Sequence, residues 1–95
     1  MAKYILLSTL TERGRATLKK NPERIKEVNE ELKELGVEVL KQWAVLGPYD
    51  FVNLVEAPDN EAIFKLSVEL GSRGTIEITS MPAITIDELI KTLKP

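Results

Sequence analysis

The chain alternates short apolar runs of strand length with longer segments in which apolar residues recur at helical spacing. The short runs are rich in β-branched and aromatic residues and are bounded by Gly, Pro, Asn or Asp. They predict four strands, over residues 3–9, 37–46, 51–56 and 75–81. Residues 47–50 form a turn that joins the second and third strands as a hairpin.

Helix signals occupy the intervals between the strands and predict helices over residues 11–20, 21–36, 59–70 and 85–93. Thr11 and Asp59 are the expected N-caps of the first and third of these helices. Pro22 follows Asn21 and fits only the first turn of a helix, so the first two helices are expected as a broken pair rather than one rod. Thr85 and Glu88 have the spacing of a capping box at the start of the last helix.

The resulting order, β-α-β-β-α-β followed by a C-terminal helix, is that of a ferredoxin-like α+β domain. Both helices of that pattern lie on one side of a four-stranded antiparallel sheet. A chain of 95 residues is a single domain, so residues 1–95 are assigned to one ferredoxin-like unit.

Both faces of the predicted sheet are apolar, which is unusual for a monomer. We place beneath the helices Ile5, Leu7, Val52, Leu54, Ile76 and Ile78. The other face then presents Tyr4, Leu6, Phe51 and Val55 with either Trp43 or Ala44, because the register of residues 37–46 is open. Two such sheets packed face to face would exclude water from this surface, so we expect a homodimer or larger assembly.

Residues 47–59, Gly-Pro-Tyr-Asp-Phe-Val-Asn-Leu-Val-Glu-Ala-Pro-Asp, resemble the signature of the GYD family. The likeness extends to residues 11–14, 21–24 and 70–74, and so to nearly the whole chain. The resemblance implies a dimeric α+β barrel made of two ferredoxin-like sheets. Wider relatives of that barrel include cofactor-independent monooxygenases, muconolactone isomerases and the ligand-binding domains of leucine-responsive-type regulators, whereas the family itself implies no particular activity.

The amino-acid composition excludes several kinds of catalytic and metal-binding sites. The absence of Cys and His removes thiolate nucleophiles, disulfides, the commonest metal ligand and the usual general base near neutral pH. A formal charge of −2 gives no attraction to nucleic acid, and the basic residues between positions 13 and 26 are assigned to a solvated helix face. No apolar stretch approaches the roughly 20 residues that span a bilayer. We therefore expect a cytoplasmic protein with no cofactor, metal, nucleic-acid or membrane partner.

Two groups of residues are candidates for ligand binding. Tyr49 and Asp50 lie in the hairpin turn, where they either bind a ligand or shuttle a proton at the barrel mouth, or serve the turn itself. The second group alternates along the presumed inner face of the barrel: Tyr4, Ser8, Lys41 or Gln42, Trp43, Phe51, Asn53, and Glu77 or Thr79. These residues either line an apolar pocket with a few polar groups, or hydrogen-bond across the dimer and to water.

Three functions follow from this reading. The preferred one is a homo-oligomeric domain that binds a small, partly apolar molecule in a sensing, carrying or regulatory role. The alternative is a cofactor-independent isomerase or monooxygenase that uses a buried acid, lysine or tyrosine, with Glu77 or Lys41 as candidates. The third is an assembly module without a ligand, which the lack of His and Cys favours.

Overall fold

Eight elements make up the computed structural model, which describes all 95 residues. They are β1 (Ala2–Leu10), α1 (Glu12–Lys20), α2 (Arg24–Glu34), β2 (Glu38–Ala44), β3 (Phe51–Ala57), α3 (Asn60–Gly71), β4 (Ile76–Ala83) and α4 (Ile86–Leu93). The strands form one antiparallel sheet in the order β2-β3-β1-β4, with β2 and β4 at its edges. This order confirms the predicted ferredoxin-like α+β class.

Side-chain caps set the starts of three helices as predicted, from Thr11, Asp59 and Thr85. At α4 the capping box is complete: the Glu88 N–H donates to Thr85 Oγ1 at 3.0 Å, and the Thr85 N–H donates to Glu88 Oε1 at 3.2 Å. This backbone hydrogen bond from Thr85 lowers the pKa of Glu88. No side chain caps the start of α2. Asn21 is instead the C-cap of α1, where its backbone N–H donates to the Thr17 carbonyl.

The last strand runs beyond its predicted end. The predicted end at residue 81, just before Pro82, is wrong, because Pro82 lies within β4 opposite Tyr4. Proline is tolerated there because β4 is an edge strand, on which one side of the backbone needs no ladder hydrogen bond.

The two sheet faces differ from the prediction in β1 and β3. The side beneath the helices carries Tyr4, Leu6, Ser8, Phe51, Asn53, Val55, Ala57, Ile76 and Ile78. The opposite side, named here the open sheet face, carries Ile5, Leu7, Trp43, Val52, Leu54, Thr79 and Met81, with the charged Lys3, Lys41, Glu56 and Glu77 towards its ends and edges. The predicted placement of the β1 and β3 residues is therefore wrong, whereas the two isoleucines of β4 face the helices as expected.

Tyr4 shows why the faces are arranged this way. Apolar residues occupy both alternating sets along β1, so the pattern alone does not choose the buried face. The Tyr4 Oη donates a hydrogen bond of 2.6 Å to Oδ1 of Asn60, the first residue of α3. Because a buried phenol needs a polar partner, this contact favours Tyr4 on the helix side.

A β-bulge at Leu40 decides the register of β2. Val39 pairs with Val55 and Lys41 pairs with Leu54, so Leu40 is the extra residue between them. The inward and outward alternation inverts after the bulge. As a result, the amide at position 42 turns toward the helices and the indole at position 43 turns to the open sheet face.

The start of β4 lies close against α1. The Thr11 N–H donates to the Thr75 carbonyl at 3.0 Å, and Thr11 Oγ1 donates to the Gly74 carbonyl at 2.8 Å. Gly14, one turn further along α1, is buried at this contact. These bonds fix the distance between α1 and the edge of the sheet.

The C-terminal helix projects from the body of the domain as an arm, named here the α4 arm (Ile86–Leu93). It makes almost no contact with the other elements, and every residue in it is exposed. The radius of gyration is 14.4 Å, compared with about 12 Å expected for a compact chain of this length. No helix has both the length and the apolar character needed to cross a lipid bilayer.

Candidate functional site

A cavity of about 300 Å³ lies between the helix pair α1 and α2 and the sheet. It extends across all four strands and is lined mainly by apolar side chains: Leu6, Leu10, Leu18, Ile25, Val28, Leu32, Val39, Phe51, Leu70, Ile76 and Ile78. A largely apolar cavity of this volume with a few polar groups is typical of sites for small molecules.

Three amide side chains form a chain of hydrogen bonds along one wall of the cavity. Asn29 Nδ2 donates to Gln42 Oε1 at 2.9 Å, and Gln42 Nε2 donates to Asn53 Oδ1 at 2.8 Å. Asn53 Nδ2 then donates to the Leu6 carbonyl of the central strand at 2.9 Å. The chain links α2 to three strands and fixes the orientation of each amide, because every amide has a defined partner.

Ser8 supplies a polar group in the floor of the cavity. The residue is only 3% exposed, yet it is part of the cavity lining. Its backbone carbonyl accepts from the Asp50 N–H at 2.9 Å. No buried side-chain oxygen or nitrogen of the chain lacks a hydrogen-bond partner, so the unpaired Ser8 hydroxyl oxygen keeps access to the cavity. A hydroxyl that opens to a cavity can donate to, or accept from, a bound molecule.

The charged residues of the lining are all arginines. Arg24 and Arg73 both bond to Glu31, at 3.2 and 2.5 Å, and Arg73 also reaches Glu69 at 3.2 Å. The hydrogen bond from Arg73 lowers the pKa of Glu31, so this carboxylate stays ionised near neutral pH. Arg13 also lines the cavity and has no acidic partner within ion-pair distance. It is the unpaired charge of the site.

The hairpin turn lies outside the cavity. Asp50 Oδ2 accepts a hydrogen bond of 2.7 Å from the Leu10 N–H at the end of β1. The Asp50 backbone donates to the Ser8 carbonyl and accepts from the Val45 N–H at 2.8 Å. Gly47 has a φ of 131°, which favours glycine in this turn. Asp50 therefore ties the hairpin to the central strand, while Tyr49 is half-buried beside it.

The open sheet face is an apolar surface that nothing in the monomer covers. Ile5, Leu7, Val52 and Leu54 form its centre on β1 and β3. The Trp43 side chain stands beside them, 51% exposed. Open faces of antiparallel sheets are usually polar in monomers, so this surface has the character of a protein interface.

A second apolar surface is separate from the sheet. The α4 arm carries Ile86, Leu89, Ile90 and Leu93 along one stripe, and all four are exposed. A single stripe of this kind on an isolated helix is typical of a helix that docks in a groove.

Comparison with known proteins places this architecture in a family. The GYD domain matches residues 4–93, nearly the whole chain. The chain belongs to the GYD domain family. A relative from Thermus thermophilus, named glutamine synthetase and cystathionine beta-lyase binding protein, is 53% identical over 95 residues, which cover 99% of this chain and 100% of the relative.

A solved structure also shares the fold of this GYD domain. The crystal structure of TTHA0845, likewise from Thermus thermophilus, matches it with a TM-score of 0.56 over 90% of this chain and 95% of that chain. The two sequences are 23% identical, so this likeness supports the fold alone.

In this GYD domain, replacement of the turn aspartate is expected to destabilise the fold. Asp50→Ala leaves the Leu10 N–H without its acceptor and should lower the free energy of unfolding by about 1–3 kcal/mol. Asp50→Asn keeps an acceptor oxygen and is the matched control, with a smaller loss. Urea denaturation followed by circular dichroism measures both, and an alanine variant as stable as the parent would contradict this role.

The cavity of the GYD domain gathers some of the predicted binding residues and not others. Ser8 and Asn53 line it, together with Gln42 and Phe51. The remaining candidates lie elsewhere: Tyr4 in the core against α3, Trp43 and Thr79 on the open sheet face, and Tyr49 and Asp50 in the hairpin turn. The prediction that the alternating group shares one surface is wrong. The bulge turns Trp43 to the open sheet face, and the pairing of Leu7 with Thr79 places Thr79 there too.

Arg13 and Asn29 are cavity residues that the sequence pattern did not predict. The sequence contains an indication for Asn29, since it adjoins Val28 and Leu32 of the apolar stripe of α2, where a polar side chain reaches the sheet. No sequence pattern identifies Arg13 as a cavity residue, because its position depends on how α1 crosses the ends of β1 and β4.

Proposed function

We propose that this GYD domain is a homo-oligomeric module that binds a metabolic enzyme. Glutamine synthetase and cystathionine beta-lyase are the candidate partners, because the name of the 53% identical relative supplies them. The observation that carries the proposal is the presence of two separate exposed apolar surfaces, the open sheet face and the α4 arm. Surfaces of this kind mark protein interaction sites. The cytoplasmic location expected from the sequence is part of this proposal.

We assign the open sheet face to a second copy of the chain. Leu7 and Leu54, on the two central strands, lie at the middle of a broad apolar layer. Sheets pack face to face at about 10 Å through interdigitating apolar side chains. A copy related by a two-fold axis offers the same layer, so the self-complementary match requires no other partner.

We assign the α4 arm to the enzyme. Its capping box orders the helix before binding, which reduces the entropy lost on association. Leu89 and Ile90 lie at the centre of its apolar stripe, and Asp87 and Lys91 lie on the polar side. This arrangement suits insertion of one helix face into a hydrophobic groove.

Binding of the purified enzymes to the immobilised protein tests this assignment. Leu89→Glu places a charge at the centre of the docking stripe and is expected to weaken enzyme binding by about 30-fold, the size of an interface hot spot. Thr92→Glu adds the same charge to the same helix outside the stripe and is the matched control, expected to bind like the parent.

Two results would contradict the proposal. Absence of binding to either enzyme at micromolar concentration would remove these partners. If Leu89→Glu dissociated the homo-oligomer and left enzyme binding intact, the α4 arm would serve self-association instead.

A second candidate function is the binding of a small, partly apolar molecule, which the cavity beneath α1 and α2 favours. Ser8 provides a free hydroxyl there, and a molecule bound beside it would give the module a sensing or regulatory role. The cavity gives no support to the enzymatic alternative, because neither Glu77 nor Lys41 lines it.

A further inference from the structure

We propose that the cavity beneath α1 and α2 binds a small carboxylic acid with an apolar body, and that Arg13 pairs with the carboxylate. The inference rests on the second candidate function above, since it names the class of molecule that the cavity takes. Three features of the lining support it: the apolar walls, the balance of charge and the free hydroxyl in the floor.

The apolar walls of the cavity favour a ligand with an elongated apolar part. Strands are spaced about 4.8 Å apart, so a cavity that reaches from β2 to β4 extends roughly 14 Å across the sheet. Leu18 and Val28 cover it from the helices, and Phe51 and Ile78 line the sheet side. The cavity is long enough for an elongated apolar group. Burial of such a group would release ordered water from both surfaces, which favours binding.

The charge balance determines the head group. No Asp or Glu is among the lining residues, which disfavours a cationic molecule. Arg24 pairs with Glu27 and Glu31, and Arg73 pairs with Glu31 and Glu69, so both have acidic partners. Arg13, an exposed residue of the lining, is left as one unpaired guanidinium. A single fork of N–H donors matches a monovalent carboxylate, with two parallel hydrogen bonds. A phosphate would require more cationic or backbone donors than Arg13 alone offers.

The polar floor provides a second anchor. The Ser8 residue is almost fully buried, but its hydroxyl oxygen keeps access to the cavity and is free to bond there. The amides of Gln42 and Asn53, by contrast, already bond to each other, so they frame the cavity without demanding a polar ligand. The lining therefore matches a ligand that has few oxygen atoms and a large apolar surface, as a simple organic acid does.

Isothermal titration with octanoate, methyl octanoate and octylamine tests the assignment on the full-length protein. Octanoate is expected to bind, while the neutral ester and the amine bind at least tenfold more weakly, since a charge-assisted pair is absent. Arg13→Gln should weaken octanoate by roughly tenfold and leave the ester unchanged. Lys19→Gln removes a cation of the same helix outside the lining and is the control, expected to bind octanoate like the parent.

Nuclear magnetic resonance locates the bound molecule without any substitution. The side-chain NH₂ signals of Gln42 and Asn53 should shift on addition of octanoate, whereas those of Asn60, at the Tyr4 contact outside the cavity, should not. A shift of the Trp43 indole signal alone would place the acid on the open sheet face and overturn the proposal.

Different results would contradict the carboxylate assignment and the small-molecule function. Equal affinity for octanoate and its ester, or octanoate binding unaffected by Arg13→Gln, would overturn the assignment of the carboxylate and leave a small-molecule cavity. Absence of binding by all three probes, with no shift of the two cavity amides, would overturn the small-molecule function itself.

Discussion

Gly14→Ala is expected to lower the free energy of unfolding by about 3 kcal/mol, near the upper end for an overpacked site. An added Cβ would lie 2.0 Å from the Thr75 carbonyl oxygen and 3.2 Å from Leu10 Cδ2. The Thr75 backbone cannot easily yield, because its carbonyl accepts from the Thr11 N–H at 3.0 Å. The substitution therefore either separates α1 from β4 or breaks this hydrogen bond.

Gly71→Ala is the matched control. Gly71 ends α3, and an added Cβ there would meet nothing within 4 Å. The same change is expected to be neutral or to stabilise by up to about 1 kcal/mol, the helix preference for alanine over glycine. Denaturant titration at one fixed protein concentration compares the two variants, since self-association would otherwise alter apparent stability. Equal stability of both variants would show that α1 lies farther from Thr75.

Leu7→Glu is expected to leave a folded monomer. Leu7 lies on the central strand, opposite Val52 on one side and Thr79 on the other, at the middle of the open sheet face. Each copy would bury one carboxylate without a partner between the two sheets. A single such group costs about 4 kcal/mol, so the dimer weakens by at least roughly a thousandfold. In the separated chain the same carboxylate faces water, so the fold itself should persist.

Sedimentation velocity at micromolar concentration, with circular dichroism as the check on folding, measures this effect. Val68→Glu is the control: Val68 is apolar and 70% exposed on the outer side of α3, away from the sheet. That variant should sediment like the parent. A parent protein that is itself monomeric under these conditions would refute assembly through the open sheet face.

Local signals were sufficient to predict the order of the elements and most of their boundaries. Thr85 and Glu88 form the capping box that their spacing indicates, and Asp59 caps α3 as predicted. Each of these signals depends on residues within one turn of each other, so no tertiary knowledge is needed to recognise them.

The faces of the sheet were not predictable in the same way. Alternation identifies a buried face only where the other face is polar, and β1 is apolar on both. The bulge at Leu40 compounds the ambiguity, because neither glycine nor proline accompanies it. The pattern therefore predicts Ser8 and Asn53 as binding candidates but on the wrong side of the sheet, and it predicts a solvated position for Arg13.

The alternation along the central strand β1 separates two surfaces at the level of single residues. Leu6 and Ser8 line the cavity, while their immediate neighbours Ile5 and Leu7 lie on the opposite face of the same strand. A side-chain replacement at one of these positions therefore changes the surface to which that residue belongs and leaves the residues that form the other surface unaltered. The cavity and the open sheet face can thus be mutated separately, although they share one strand.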